Sequence, residues 1–297
     1  MCEVSRVPMA VILLLFTVKV ESKLRFGRWL WAMGAEVQAK LDTAYGAWAK
    51  QLLGFDPWRS SAVAIGEVGW DLSGFARVVL DIAVLRCKFW KECDSTLAGK
   101  TFLQAHGMLG LTWARKSYHL LASWGVLDWP DWQVQSKTTD TYSSYVRRSL
   151  RRRCLTDWAL AVAPHSWPIP YSDIVAKPTN LFQSAFRAGL HWETLVQQRA
   201  LSQLRCGQLA LGHIGGRRSR AKYRQCLFCN KWYSSMYYHV VCSCEYFADE
   251  RSHLTSAKVD VSSLRCLATD PDDPSYPAVA NFACAVQSQT AKFWKSK

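Results

Sequence analysis

The chain has 297 residues, 49% of them hydrophobic, enough to bury the core of one large domain or two small ones, so it is not a disordered tail. Thirty-seven Lys and Arg against 23 Asp and Glu leave a net charge of +14. That balance points toward phosphate polymers or an anionic membrane, because folding gains nothing from self-repulsion. Eleven Cys, four of them crowded between Cys226 and Cys244, are unlike a secreted disulfide framework and fit a reducing compartment, nuclear or cytoplasmic.

Residues 1–23 form an apolar N-terminal segment. Arg6 precedes an apolar run from Met9 to Val18, too short to span a bilayer but of signal-sequence length, with Val20-Glu21-Ser22 as a cleavage site. Glu3 before the run and Lys19 after it favour the other reading, a buried element left where a longer coding frame was cut. A secreted protein with a cleaved leader stays the minority alternative. Residues 24–130 read as a helical domain. Val37, Leu41, Tyr45, Trp48 and Leu52 mark one helical face, which Gly54 and Pro57 end. A short helix follows from Ser60 to Val68, with Ser60 or Ser61 as N-cap and Gly69-Trp70 breaking the period. Phe75, Val78, Val79, Ile82, Leu85, Arg86 and Phe89 predict a strong amphipathic helix, and Thr101 to Trp124 a further single one. Most of the fifteen Trp recur at helical spacing and belong to the core, a few near basic clusters staying open as contacts.

Residues 131–179 are expected to hold a basic helix and a Pro-rich connector. The polar stretch "VLDWPDWQVQSKTTDTYSS" reads as a boundary or surface connection. The helix after it sets Tyr145, Leu150 or Cys154, and Trp158 on one side, while Arg147, Arg148, Arg151, Arg152 and Arg153 spread over the rest. Those arginines are either a phosphate surface or a solvated helix face. Four prolines between Ala163 and Pro178 predict an extended connector. Residues 180–256 combine a helical pattern from Asn180 to Leu211 with a Cys/His cluster, and residues 257–297 read as a C-terminal helical tail. The expected fold class is mainly α, a helical bundle-like region followed by a small CCHC zinc-knuckle module.

Cys226-x2-Cys229, then His239, then Cys244 is the strongest chemical signal. A CxxC turn brings two thiolates to about the edge of a zinc tetrahedron, and a following His and Cys close the other two corners. Cys242, three residues beyond His239, shares a helical face with it and competes for the fourth position, whereas Cys244 does so only if the helix begins or bends there. Such a closed site is structural, leaving no position for a reacting water. Directly before it, after Gly215-Gly216, stand Arg217, Arg218, Arg220, Lys222 and Arg224, interleaved with Tyr223, a pattern suited to tracking an RNA or DNA backbone. Phe247-Ala248-Asp249-Glu250 is a near miss to the aromatic-x-Asp-Asp turn of a polymerase. Helical offsets around it and the absence of a neighbouring strand pattern make it a solvated helix turn. No nucleophile motif, P-loop or dinucleotide fingerprint occurs, so no catalytic residue, enzyme activity or small-molecule substrate is expected.

The segment "LSQLRCGQLALGHIGG", with Leu204-Arg205-Cys206-Gly207, followed by "CLFCN" and "HVVCSCEYFADER", resembles the C-terminal end of non-LTR (LINE-type) retrotransposon reverse transcriptases. Upstream, Leu41-Asp42, Leu52-Leu53-Gly54 and Glu67-x-Gly69-Trp70 look like the helices after the polymerase palm, the thumb and connection. The resemblance runs from about Lys40 to Leu254. It implies a detached C-terminal fragment without fingers, palm or endonuclease, with Cys244 as fourth ligand and a role in gripping RNA or DNA. A purely structural or protein-interaction helical domain stapled by zinc is the alternative, and nothing in the sequence fixes the oligomeric state.

Overall fold

A computed structural model describes residues 7–25, 27, 34–57, 59–108, 112–135, 141–162, 194–206, 224–226, 228–233, 238–254 and 275–295. The described residues are mainly helical, with one two-stranded antiparallel sheet. In chain order the elements are α1 (Met9–Leu15), a π turn (Phe16–Glu21), α2 (Ser22–Arg25), α3 (Ala35–Leu53), α4 (Ser61–Val68), α5 (Gly74–Lys91) and α6 (Leu97–Gly107). There follow α7 (Trp113–Ser123), α8 (Trp129–Gln135), α9 (Tyr142–Val162), α10 (Leu195–Arg205), β1 (Arg224–Gln225) and β2 (Trp232–Tyr233). A second π turn (His239–Ser243), a 3-10 turn (Glu245–Phe247), α11 (Ala248–Ser252) and α12 (Tyr276–Lys295) complete the order. Among the described residues no helix is long and apolar enough to cross a membrane.

The chain divides into two compact units, each discontinuous in sequence. One comprises Met1–Leu14, Trp48–Gly69 and Ala159–Lys297, the other Leu15–Ala47 and Trp70–Trp158. The units divide segments 1–23, 24–130 and 131–179 between them, whereas 180–256 and 257–297 fall together in the first.

The second unit is built on α5. Its predicted stripe, Phe75, Val78, Val79 and Ile82, is buried against Leu121 of α7, Trp124, Val126, and Tyr142, Val146 and Leu150 of α9. The expected basic helix therefore packs into this core. Ser73 caps α5 by accepting the Ala76 N–H, and the Asp42 carboxylate accepts the Phe75 N–H at 3.0 Å. The stretch expected to be a single helix from Thr101 to Trp124 is two. Thr112 ends the continuity by capping α7 through the Arg115 N–H and donating to the Ala105 carbonyl at 2.8 Å. Asp128, inside the stretch read as a polar surface connection, is buried. It takes a forked ion pair from Arg86 Nε at 3.0 Å and Nη2, plus the Trp90 indole N–H at 3.0 Å. Glu21, from the segment read as signal-like, is also buried, accepting from the Tyr45 hydroxyl at 3.1 Å and pairing with Arg77 at 2.7 Å.

The first unit packs α10 against α12, with Leu201, Leu204, Val279, Phe282, Ala283 and Val286 in one core. Tyr276–Lys295 of the C-terminal tail is thus a core helix. Thr194 and Gln197 form a capping box at the start of α10, and the Leu195 N–H donates to the Val7 carbonyl at 3.0 Å. Glu67 of α4 and Arg205 of α10, both fully buried, make a forked ion pair with contacts of 3.1, 2.9 and 2.5 Å, and Ser202 accepts from Arg205 at 3.2 Å. Leu181, Phe182, Phe186 and Leu190, expected on a helix, lie outside the described residues, as do the prolines of the connector.

Candidate metal centre

Two short structures bring the Cys/His ligands together. The first is the turn between β1 and β2, where Arg224 pairs with Tyr233 and Gln225 with Trp232. The Cys226 N–H donates to the Lys231 carbonyl at 2.8 Å, and the Asn230 N–H returns to the Cys226 carbonyl at 2.9 Å. Asn230 closes the turn in the left-handed region, φ 57°, which Asn tolerates better than most side chains. This tight return sets Cys229 beside Cys226. The second structure is the π turn from His239. The Cys244 N–H donates to the His239 carbonyl at 2.7 Å, five residues back.

That wider turn decides between the two candidate cysteines. An α-helical turn would have favoured Cys242, but the i to i+5 closure swings Cys244 back over His239. The ligand atoms of Cys226, Cys229, His239 and Cys244 all lie within 4.8 Å of one another, a group that could hold a metal ion. Cys226 Sγ is 3.9 Å from Cys244 Sγ, and Cys229 Sγ is 3.1 Å from His239 Nε2. Cys242 stands outside this group and packs against the hydrophobic core.

The surroundings hold the ligands in place. His239 Nδ1 is 3.2 Å from Ser243 Oγ, which leaves Nε2 directed at the thiols. The Tyr233 ring stacks on the imidazole with centroids 3.4 Å apart and planes 12° apart. Arg251 donates to the Val240 carbonyl at 3.2 Å and to the Cys244 carbonyl, bracing the π turn from α11. Cys226, Cys244, Val240, Val241 and Phe247 share the core of α10 and α12. Burial pushes the Cys244 thiol up to about 12 and raises that of Cys226, while burial and then the Arg251 and Lys231 cations lower His239. A bound cation reverses the thiol preference by stabilising thiolate directly.

The Phe247-Ala248-Asp249-Glu250 letters fall as expected, in the 3-10 turn and α11 leaving the cluster, with Asp249 exposed. Of the candidate phosphate contacts, Arg147, Arg148, Arg152 and Arg153 are exposed on α9 and Arg151 is half-buried. Arg153 is engaged within its own unit: its guanidinium lies 4.5 Å over the Trp124 ring, donates to the Ser123 carbonyl at 2.5 Å and pairs with Asp157 at 3.7 Å. Arg217, Arg218, Arg220 and Lys222 lie outside the described residues; Arg224 is described as the first residue of β1, though not in its side chain. Sequence reasoning missed Ser243 and Tyr233 as supports of His239. Ser243 stands four residues past the His, a spacing that offered a signal. Comparison with protein-family models, curated proteins and solved structures finds no match.

Proposed function

We propose that the chain is a zinc- and nucleic-acid-binding protein, corresponding to the C-terminal thumb, connection and knuckle region of a non-LTR retrotransposon reverse transcriptase and acting without catalysis of its own. The observation that carries this reading is the convergence of Cys226, Cys229, His239 and Cys244 ligand atoms within 4.8 Å. Three thiolates and an imidazole are the donor set of a closed, tetrahedral Zn²⁺ site, whose role is structural. The retroelement reading is supported by Glu67 and Arg205. Each comes from a segment that resembles that family, and the two pair across 138 positions of sequence. Net charge of +14 and the cation run leading into β1 support RNA or DNA, held through phosphates, as partner. Four Cys crowded between Cys226 and Cys244, unlike a disulfide framework, support a nuclear or cytoplasmic setting.

A second reading, a helical structural or protein-interaction domain merely stapled by zinc, is favoured by the burial of Cys226 and Cys244 in the core of α10 and α12. Zinc analysis and RNA binding across a salt series separate the two. The proposed function expects bound zinc and salt-sensitive RNA binding, both lost in Cys226→Ser, with binding alone weakened in Arg217/Arg218→Ala. Zinc without RNA affinity supports the second reading, and a metal-free chain with absent or salt-insensitive binding overturns the proposed function.

A further inference from the structure

The hairpin that carries two of the thiols also carries an unusual surface ring. Trp232 is 65% exposed on β2, beside exposed Asn230 and Lys231 and opposite exposed Gln225. Its neighbour Tyr233 turns the other way and stacks on His239. Successive strand residues point to opposite faces, so the seating of Tyr233 on a ligand of the metal centre fixes Trp232 outward. A second exposed ring follows Cys244 in sequence. Tyr246 is 49% exposed and stacks on Phe228 at 5.1 Å, which in turn meets the buried Phe247 edge-on at 4.8 Å. An ion pair of 2.5 Å between Lys231 and Glu245 ties the residue preceding Trp232 to the residue preceding Tyr246.

We propose that the exposed side of this hairpin binds single-stranded nucleic acid, Trp232 stacking on an unpaired base and Tyr246, on the 3-10 turn tied to the hairpin by the Lys231–Glu245 ion pair, on another. The inference rests on the nucleic-acid reading above and names its surface and its preferred strand state. Rings held by packing lose little freedom on stacking, and every base offers a π face, so such contacts are strong and sequence-tolerant. In a duplex those faces are already stacked on one another. The charge of the chain, +14, complements a polyphosphate, and the cations in sequence up to Arg224 lead directly into β1, where Arg224 pairs with Tyr233.

The test uses the zinc-loaded full chain and fluorescence anisotropy with a short single strand, as RNA and as DNA of one mixed sequence, and with the matching blunt duplex. Trp232→Leu is expected to weaken single-strand binding about tenfold in both chemistries, with duplex binding unchanged. Trp232→Phe, which keeps a ring, is expected to retain most of the affinity, and Tyr246→Leu to lose part of it. Single-strand binding by Trp232→Leu equal to wild type overturns the inference alone. So does equal weakening of Trp232→Leu and Trp232→Phe, or a matching loss on duplex. A wild-type chain that holds zinc yet binds no nucleic acid overturns the nucleic-acid reading as well, and is recognised before any variant is measured.

Discussion

Whether a cysteine serves the metal centre is decided by one backbone hydrogen bond, from the Cys244 N–H to the His239 carbonyl at 2.7 Å. Cys244→Ser is therefore expected to lose bound zinc on mild chelation, whereas Cys242→Ser retains it; equal zinc retention in the two would overturn the ligand assignment. Because zinc of this kind couples about 10–16 kcal/mol to folding, the first variant is also expected to lose most of the thermal transition of its unit. Asp42 offers a second residue-scale test. Burial raises its carboxyl above the ordinary 3.8, and accepted hydrogen bonds from Phe75, Ser73 and Gly74 only partly offset this. The folded chain thus holds that proton more tightly than the unfolded one. Its contribution is fully present below the unfolded value and is lost as pH rises through the raised folded value. Asn at 42 keeps an acceptor for the Phe75 N–H and does not titrate, so Asp42→Asn gains stability relative to wild type as pH rises across that window. Urea midpoints over an acid pH series read it out, and parallel profiles for the two proteins would refute it.

At the scale of elements, pairs distant in sequence hold helices together. Glu67 and Arg205 join α4 to α10 with both side chains buried. Removing one partner leaves an uncompensated buried charge, so Glu67→Gln or Arg205→Leu is expected to cost about 3–5 kcal/mol, while Glu67→Met with Arg205→Leu together costs far less. Denaturant midpoints of the singles and the double decide it, and additive losses would contradict it. Gly99 of α6 sets two effects against each other. Ala gains about 1 kcal/mol of helix propensity, but its Cβ would stand 2.2 Å from the Glu92 carbonyl oxygen, and overpacking of this kind costs about 1–3 kcal/mol. The clash is with backbone, which cannot swing aside, so Gly99→Ala is expected to destabilise; a raised melting temperature would refute this. What could be read beforehand follows the same divide. The stripe of α5, the Ser60 cap and the Cys/His spacing are local patterns, and all three lie in the structure as the spacing predicts. Arg86 stands on the predicted inward stripe, but nothing local names Asp128 as its partner, and the pairing of Glu67 with Arg205 carries no local signal either. The π turn was illegible for another reason: Val240, Val241, Cys242 and Ser243 are equally compatible with an α turn, and the fifth-residue closure emerges only with the packing of Val240, Val241 and Phe247.

On the scale of the whole molecule, chain order and packing part company. The basic helix α9 joins the core of α5 through Tyr142, Val146 and Leu150, while the late helices α10 and α12 share a unit with α4. This changes what α9 can offer a nucleic acid. A helix lying free would present all five arginines, but burial of one face leaves Arg151 half-buried and Arg147, Arg148, Arg152 and Arg153 exposed, Arg153 lying over Trp124. Arg148 and Arg152 stand four residues apart and so share a face. If that face meets phosphate, Arg148/Arg152→Ala removes two counterion-releasing contacts, and the slope of log K against log salt on single-stranded RNA becomes shallower by about 1.4. If it is only solvated, the general loss of positive charge weakens binding slightly while the slope hardly moves. The expected outcome is the first, because five arginines within seven residues of a helix repel one another, a cost that attraction to phosphate offsets. An unchanged slope, with zinc content and helicity intact, would return α9 to a solvated face.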